Sequence, residues 1–245
     1  VKAILAVTGG YNSNELLPYI DFDLIASHPK IICGYSDFSA LANAMTAKTG
    51  LITYYGPSYI SFKLVDQLGD YQAHNWQKVM TQEAGPIRLA ASKEWSSDAW
   101  YLPNAARDYQ PNRWQSYTSG CVTGTLVGGN LNTLYTLQGT AYQPDYNDQV
   151  LLIECSDGSD PFDFSRNLAA LLQSMEHPKA LIIGRIPTDV ALSETDLIAI
   201  LNKFPILKTI PVLYNVNVGH TQPILTLPIG QSITVNATEG WLQIE

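Results

Sequence analysis

Residues Lys30-Ile-Ile-Cys-Gly-Tyr-Ser-Asp-Phe-Ser-Ala-Leu-Ala-Asn-Ala-Met-Thr-Ala-Lys-Thr-Gly-Leu-Ile-Thr-Tyr54 read as strand, helix, strand. The run Ile31-Ile-Cys is apolar on both faces of a pleated chain, as in a buried strand of a parallel sheet. Phe38, Leu41, Ala42 and Met45 then recur at i, i+3, i+4 and i+7, which puts them on one face of a helix, and Gly50 marks its end. Leu51-Ile-Thr-Tyr54 resumes the strand pattern. Upstream, Lys2-Ala-Ile-Leu-Ala-Val7 reads as an earlier strand that runs into the turn Thr8-Gly-Gly-Tyr-Asn-Ser13, with Ser13 placed to cap a short helix through Leu17. Strands alternating with helices predict a parallel sheet in an α/β domain.

The alternation resumes later. Val127-Gly-Gly-Asn-Leu131 leads into a helix, Val150-Leu-Leu-Ile153 and Ala180-Leu-Ile-Ile183 read as buried strands, and helices are predicted over 161–175 and 193–204. Asp160 is a good N-cap, and Pro161 stands at the first helical position, where its missing N–H costs nothing. After Pro223 the pattern shortens to Ile224–Leu227, Ser232–Val235 and Trp241–Ile244, separated by Gly and Pro. Residues 92–119 carry Trp95, Trp100 and Trp114 without periodicity and read as a crossover loop. The expected fold is α/β: an N-terminal parallel-sheet domain over 1–91, the crossover, and a C-terminal α/β domain over 120–245 with added hairpin or barrel-like strands.

Composition narrows the function. The 245 residues are 46% hydrophobic and 15% charged, which excludes a disordered, collagenous or coiled-coil chain. Fourteen Lys+Arg against 22 Asp+Glu give a net charge of −8, so nucleic acid and anionic membrane surfaces are poor partners. No apolar run is long enough for a spanning helix, and the N-terminus lacks the layout of a secretory signal. Cys33, Cys121 and Cys155 are too scattered for a disulfide framework or a zinc knuckle, and the expectation is a reducing, cytoplasmic setting without a bound metal.

Ser36 stands between a buried strand and an amphipathic helix, where a turn exposes a hydroxyl and leaves the following N–H groups unpaired. A helix-capping serine fits the same position, and the second glycine of the Gly-x-Ser-x-Gly elbow is absent. Of four histidines, His28, His74 and His177 lie in polar surroundings, whereas His220 ends Asn215-Val-Asn-Val-Gly-His220 just after the apolar Ile210-Pro-Val-Leu213, where parallel-sheet enzymes place catalytic groups. Glu154 closes an apolar strand and loses hydration unless it meets a partner. Ser36, Glu154 and His220 are therefore candidates for a nucleophile, an orienting acid and a base. Each also has a plain structural alternative. The Gly9-Gly10 and Gly128-Gly129-Asn130 turns can present backbone to a ligand, but neither Gly-x-Gly-x-x-Gly nor Gly-Lys-Ser/Thr is present, so no cofactor is expected.

Taken together, Gly9-Gly-Tyr, Leu16-Leu-Pro, Gly34-Tyr-Ser-Asp37, Tyr55-Gly-Pro57, Gly128-Gly-Asn-Leu131, Leu152-Ile-Glu154 and Gly219-His-Thr-Gln-Pro-Ile-Leu-Thr-Leu-Pro-Ile-Gly230 resemble the LD-carboxypeptidase family of serine peptidases, which includes microcin immunity peptidases. The resemblance implies a Ser36–Glu154–His220 triad at a domain interface and an oxyanion hole built from the N–H groups of Asp37 and Gly10. It further implies substrate contacts at Gly9, Gly129 and Asn130, and a homodimer. Members begin with a further strand and helix ahead of the Gly-Gly turn, so the first sheet is expected to lack that piece.

Glu94-Trp-Ser-Ser-Asp-Ala-Trp100 looks like the tryptophan loop of the microcin immunity branch, which implies that Trp95 and Trp100 stack on a nucleobase; packing of the loop is the alternative. The expected substrates are an aminoacyl-nucleotide analogue or a murein tetrapeptide ending in D-alanine, the latter a step of peptidoglycan recycling. Two other classes stand beside this: a catalytically silent binding module using the same cleft, and a nucleotide-dependent oxidoreductase or transferase, which the missing phosphate fingerprints disfavour.

Overall fold

The computed structural model describes residues 1–81, 85–102 and 105–245. Its strands are β1 (Ala3–Leu5), β2 (Ile31–Gly34), β3 (Thr53–Tyr55), β4 (Ile87–Leu89), β5 (Glu94–Trp95), β6 (Gln110–Pro111) and β7 (Gln115–Thr118). They continue with β8 (Cys121–Asn130), β9 (Gln149–Glu154), β10 (Ala180–Gly184), β11 (Val212–Val216), β12 (Leu227–Ile229), β13 (Ser232–Asn236) and β14 (Trp241–Ile244). The helices are α1 (Phe22–Ser27), α2 (Phe38–Thr49), α3 (Gln67–Met80), α4 (Leu131–Tyr135), α5 (Pro161–Gln173) and α6 (Glu194–Leu201).

The mixed α/β fold has two main sheets. In the first, ordered β1-β2-β3-β12, the first three strands are parallel and β12 joins antiparallel to β3. In the second, ordered β4-β14-β13-β8-β9-β10-β11-β7, the centre β8 to β11 is parallel and antiparallel strands flank it on both sides. A small antiparallel hairpin, β5–β6, stands apart. Two short strands pass between the regions read from the sequence: β12 returns to the first sheet, and β4 pairs with β14 of the second.

Burial explains why β9 and β10 read as unbroken apolar runs. Alternate residues face opposite sides of the sheet. Val150, Leu152, Ala180 and Ile182 enter one core with β13, β14 and the β12 segment. Leu151, Ile153, Leu181 and Ile183 enter the other, under Phe164, Leu168 and Leu171 of α5 and Leu197, Ile200 and Leu201 of α6. Each of the Val, Leu, Ile and Phe side chains among them contributes about 1.5–3 kcal/mol when buried. The helix starts follow their caps: the Asp160 carboxylate accepts from Phe162 N at 2.7 Å with Pro161 next, and Ser193 Oγ accepts from Asp196 N at 3.2 Å.

Several local expectations are corrected. The glycines read as a turn at 127–131 lie inside the ten-residue strand β8, where Gly128 and Gly129 take φ of 122° and 146°. The strand expected over Ile224–Leu227 begins only at Leu227. The 92–119 segment, read as a loop, holds β5, β6 and β7, and β7 borders β11. Its strands have two to four residues, too short for a period-two pattern to register. Ser13 opens a 3-10 turn over Ser13–Tyr19, and its hydroxyl donates to Asp37 O at 2.6 Å instead of capping that turn.

The two sheets meet along α2. Asn43 Nδ2 donates to Gly128 O at 2.9 Å, and Gly128 N donates back to Asn43 Oδ1 at 2.9 Å. Ser39 Oγ accepts from Asn130 N at 2.9 Å. Asn43 and Ser39 are fully buried, so these bonds satisfy backbone groups that have no water to turn to. They fix the helix that follows Ser36 against the strand beside Glu154.

Candidate active site

Ser36 follows β2 with φ of 62°, a left-handed conformation uncommon for a non-glycine residue and expected at a strained strand-to-helix elbow. Its hydroxyl caps nothing: α2 has Asp37 at its N-cap, without a side-chain cap bond. Instead Ser36 Oγ lies 3.0 Å from His220 Nε2. His220 Nδ1 lies 2.8 Å from Glu154 Oε2. Three residues, one just after β2, one closing β9 and one in the segment after β11, thus form one hydrogen-bonded chain.

Glu154 has no exposure to solvent. Its other oxygen, Oε1, accepts from Asn130 Nδ2 at 2.9 Å. Burial disfavours its charge, but the His220 imidazolium and the hydrogen bonds from His220 and Asn130 outweigh that, and the carboxyl is held below the usual range. His220 shows the converse balance: burial disfavours the imidazolium, yet the adjacent Glu154 carboxylate, helped by Asp157 and Asp189, raises its pKa. The Tyr35 ring lies 5.2 Å from the imidazole and shields it. Gly219, with φ of 99°, is demanded by this packing, because a Cβ there would fall 2.5 Å from Glu154 Oε2.

The Gly9-Gly10 turn lies against Ser36 and Asp37. A Cβ on Gly9 would stand 2.8 Å from Ser36 Oγ, so only glycine lets that backbone approach the hydroxyl. Asp37 is tied down by Ser13, whose N–H donates to Asp37 Oδ2 at 2.9 Å. Among the described residues, neither the Gly10 N–H nor the Asp37 N–H donates to a protein acceptor. Two backbone donors without a protein partner, on residues that line the same cavity as Ser36, suit a developing oxyanion.

Two cavities open on this chain of residues. One of about 930 Å³ contains Ser36, Asp37, Gly10, Asn130 and His220. The other, of about 380 Å³, is walled by Tyr35, Trp100, Tyr101, Asp157, Asp189 and His220. Trp100 and His220 thus line the same cavity. With the Gln222 amide turned to satisfy both neighbours, it accepts from Trp100 Nε1 at 2.9 Å and donates to Ser96 O at 3.2 Å.

Other sequence candidates fall elsewhere. Trp95 lies under the guanidinium of Arg185, with Cζ 4.4 Å from its ring centroid, and does not wall the Trp100 cavity. Gly129 is buried against Ser39 and Tyr55. The Asn130 amide is committed to Glu154, Ser156 and Thr133, so it orients the carboxylate. His28, His74 and His177 are exposed, in keeping with their polar surroundings. Cys33 is buried, and burial pushes its thiol up to about 12. No group of three or more potential metal ligands occurs among the described residues. Sequence reasoning missed Asn43, whose signal was an amide inside the apolar run Ala40-Leu-Ala-Asn-Ala-Met45, and Asp157 and Asp189, which look like ordinary loop acids.

Family models for the LD-carboxypeptidase N-terminal and C-terminal domains match residues 1–56 and 123–235. The protein YocD of Bacillus subtilis is 42% identical over 247 residues, covering 100% of this chain and 75% of its own length. The chain belongs to the LD-carboxypeptidase family. Within this family of serine peptidases, the microcin self-immunity protein MccF of Escherichia coli is 35% identical, covering 96% of this chain and 71% of its own length. Among solved structures, an MccF-like protein from Bacillus anthracis superimposes with a TM-score of 0.94 at 38% identity, covering 100% of this chain and 76% of that one. MccF in complex with aspartyl sulfamoyl adenosine gives 0.87 at 33%, with coverages of 100% and 76%. This LD-carboxypeptidase-type hydrolase therefore shares its fold with proteins seen holding aminoacyl nucleotide analogues.

Proposed function

We propose that this LD-carboxypeptidase hydrolyses an amide next to a free carboxylate through an acyl-enzyme on Ser36, and that its preferred substrate is an aminoacyl-nucleotide analogue. The observation that carries the proposal is the Ser36–His220–Glu154 chain, at 3.0 and 2.8 Å, opening onto a cavity walled by Trp100. In the first step His220 Nε2 takes the Ser36 proton as Oγ bonds to the carbonyl carbon. The oxyanion that forms meets the N–H groups of Asp37 and Gly10. The C–N bond then breaks, His220 returns the proton to the leaving nitrogen, and the acyl group remains on Ser36. Water attacks the ester with His220 again as base, which releases the acid and restores the hydroxyl. Glu154 keeps the imidazole in the tautomer that presents Nε2 to serine and stabilises the imidazolium.

Trp100 supports the nucleotide reading, since an indole face stacks on a base. So do relatives seen with aspartyl sulfamoyl adenosine and adenosine monophosphate. A second reading, removal of D-alanine from a murein tetrapeptide, is favoured by a Bacillus subtilis relative named as a probable murein peptide carboxypeptidase, 28% identical over the whole of this chain. The larger, polar cavity beside Ser36 offers room for such a peptide. A homodimer and a cytoplasmic setting belong to the same reading; no helix among the described residues is long and apolar enough to cross a membrane. The test is to incubate the protein with each substrate in parallel and follow aspartate and D-alanine by mass spectrometry. Release of aspartate supports the first reading and D-alanine alone the second. Release of neither refutes both.

A further inference from the structure

Arg185 immediately follows β10 and is only 8% exposed. It forms no ion pair among the described residues, and its Nε has no hydrogen-bond partner there. Burial pulls the guanidinium down to about 10, with the charge of Glu194 opposing. A buried cation without a carboxylate is costly, so the contacts it does make are informative. Its terminal nitrogen NH2 donates to Asn112 Oδ1 at 2.5 Å, to Arg113 O at 3.3 Å and to Asn215 O at 3.3 Å. The guanidinium also covers Trp95.

These partners lie on two segments that both lead to the candidate site. Trp95 ends β5, and Asn112 and Arg113 follow β6, so they bracket the connection carrying Ser97, Asp98, Ala99 and Trp100 into the cavity wall. Asn215, in β11 with φ of 60°, begins the run that delivers His220. A polar relay reinforces the arrangement: Asn217 Oδ1 accepts from Asn112 Nδ2 at 2.7 Å and from Trp114 Nε1 at 2.9 Å. All three bonds come from one nitrogen, so what distinguishes arginine here is its planar group: a round, strongly hydrated ammonium has no flat face to lay on the Trp95 indole while its nitrogen meets those oxygens.

We propose that Arg185 is a positioning residue that seats the Trp95–Trp100 segment against the His220 segment and so sets affinity for the flat nucleoside part of the substrate, without touching it. The proposal rests on the nucleotide reading above. Arg185→Lys and, as a variant that leaves the buried charge in place, Trp95→Leu are compared with the parent in the full chain. The readouts are KM and kcat for aspartyl sulfamoyl adenosine and the Kd of adenosine monophosphate. Both variants are expected to raise KM and Kd about tenfold while kcat stays within about threefold. A fall in kcat at unchanged KM, or a lower melting temperature with Kd unchanged, would overturn the assignment, as would a parent that binds no adenosine monophosphate. A parent that binds the nucleotide but cleaves nothing would refute the proposed hydrolysis while leaving the Kd comparison to decide the role of Arg185.

Discussion

Ser36 combines a left-handed backbone with a hydroxyl 3.0 Å from an imidazole, and the two properties can be separated by substitution. Ser36→Gly releases the backbone strain and is expected to stabilise the fold by about 1 kcal/mol, read by thermal denaturation, while abolishing turnover. A serine retained for stability would show the opposite sign. His220 gives a pH signature. Its pKa is raised above 6.5, and the base must be neutral, so kcat/KM is expected to rise with pH through a midpoint above that value. Glu154→Gln removes the charge that, against burial, raises it. The midpoint should move down, and kcat/KM should fall by about 10³ to 10⁴ as the tautomer is lost. At this scale much was legible: Ser36, Glu154 and His220 each broke the pattern around them, a hydroxyl at an elbow, an acid closing an apolar strand and a histidine just past one. Asn130 was legible as a site residue but not in its role, because the partners of an amide cannot be read from its neighbours in sequence. Trp95 misled for a related reason, since an indole that seats a guanidinium and one that seats a base look alike in sequence.

Among the elements, α2 does most to place the nucleophile, because it starts one residue after Asp37 and is bonded to β8 through Asn43 and Ser39. Asn43→Ala would leave the buried N–H and C=O of Gly128 without partners, at about 1–3 kcal/mol for each group. It is therefore expected to lower stability by about 2–5 kcal/mol in chemical denaturation and to reduce kcat by displacing Ser36 from Glu154. Unchanged kcat in folded Asn43→Ala would show that this contact does not set the geometry. The alternating strands and helices were readable where runs were long, as in β2, α2, β9, β10 and α5. They were not readable in β8, where Gly128 and Gly129 imitate a turn while the ladder to β9 continues through both. The pairing partner supplied what local pattern lacked.

Across the whole molecule, the site exists because two sheets meet. Ser36 comes from the first, and Glu154 and His220 come from the second, separated from one another by 118 (154−36) and 66 (220−154) residues. No spacing rule predicts their contact; the return of β12 to the first sheet and the α2–β8 bonds bring it about. The cavities at this junction are bounded by loops from both halves, which is why Asp157 and Asp189 passed unnoticed in sequence. Nucleophilic catalysis by Ser36 at this junction is tested by turnover of aspartyl sulfamoyl adenosine by Ser36→Ala beside the parent, with binding measured in parallel. The variant is expected to fold, to bind the compound with Kd near the parental value and to lose about 10⁴-fold or more in kcat. Turnover within tenfold of the parent by a folded Ser36→Ala protein would rule out Ser36 as the nucleophile.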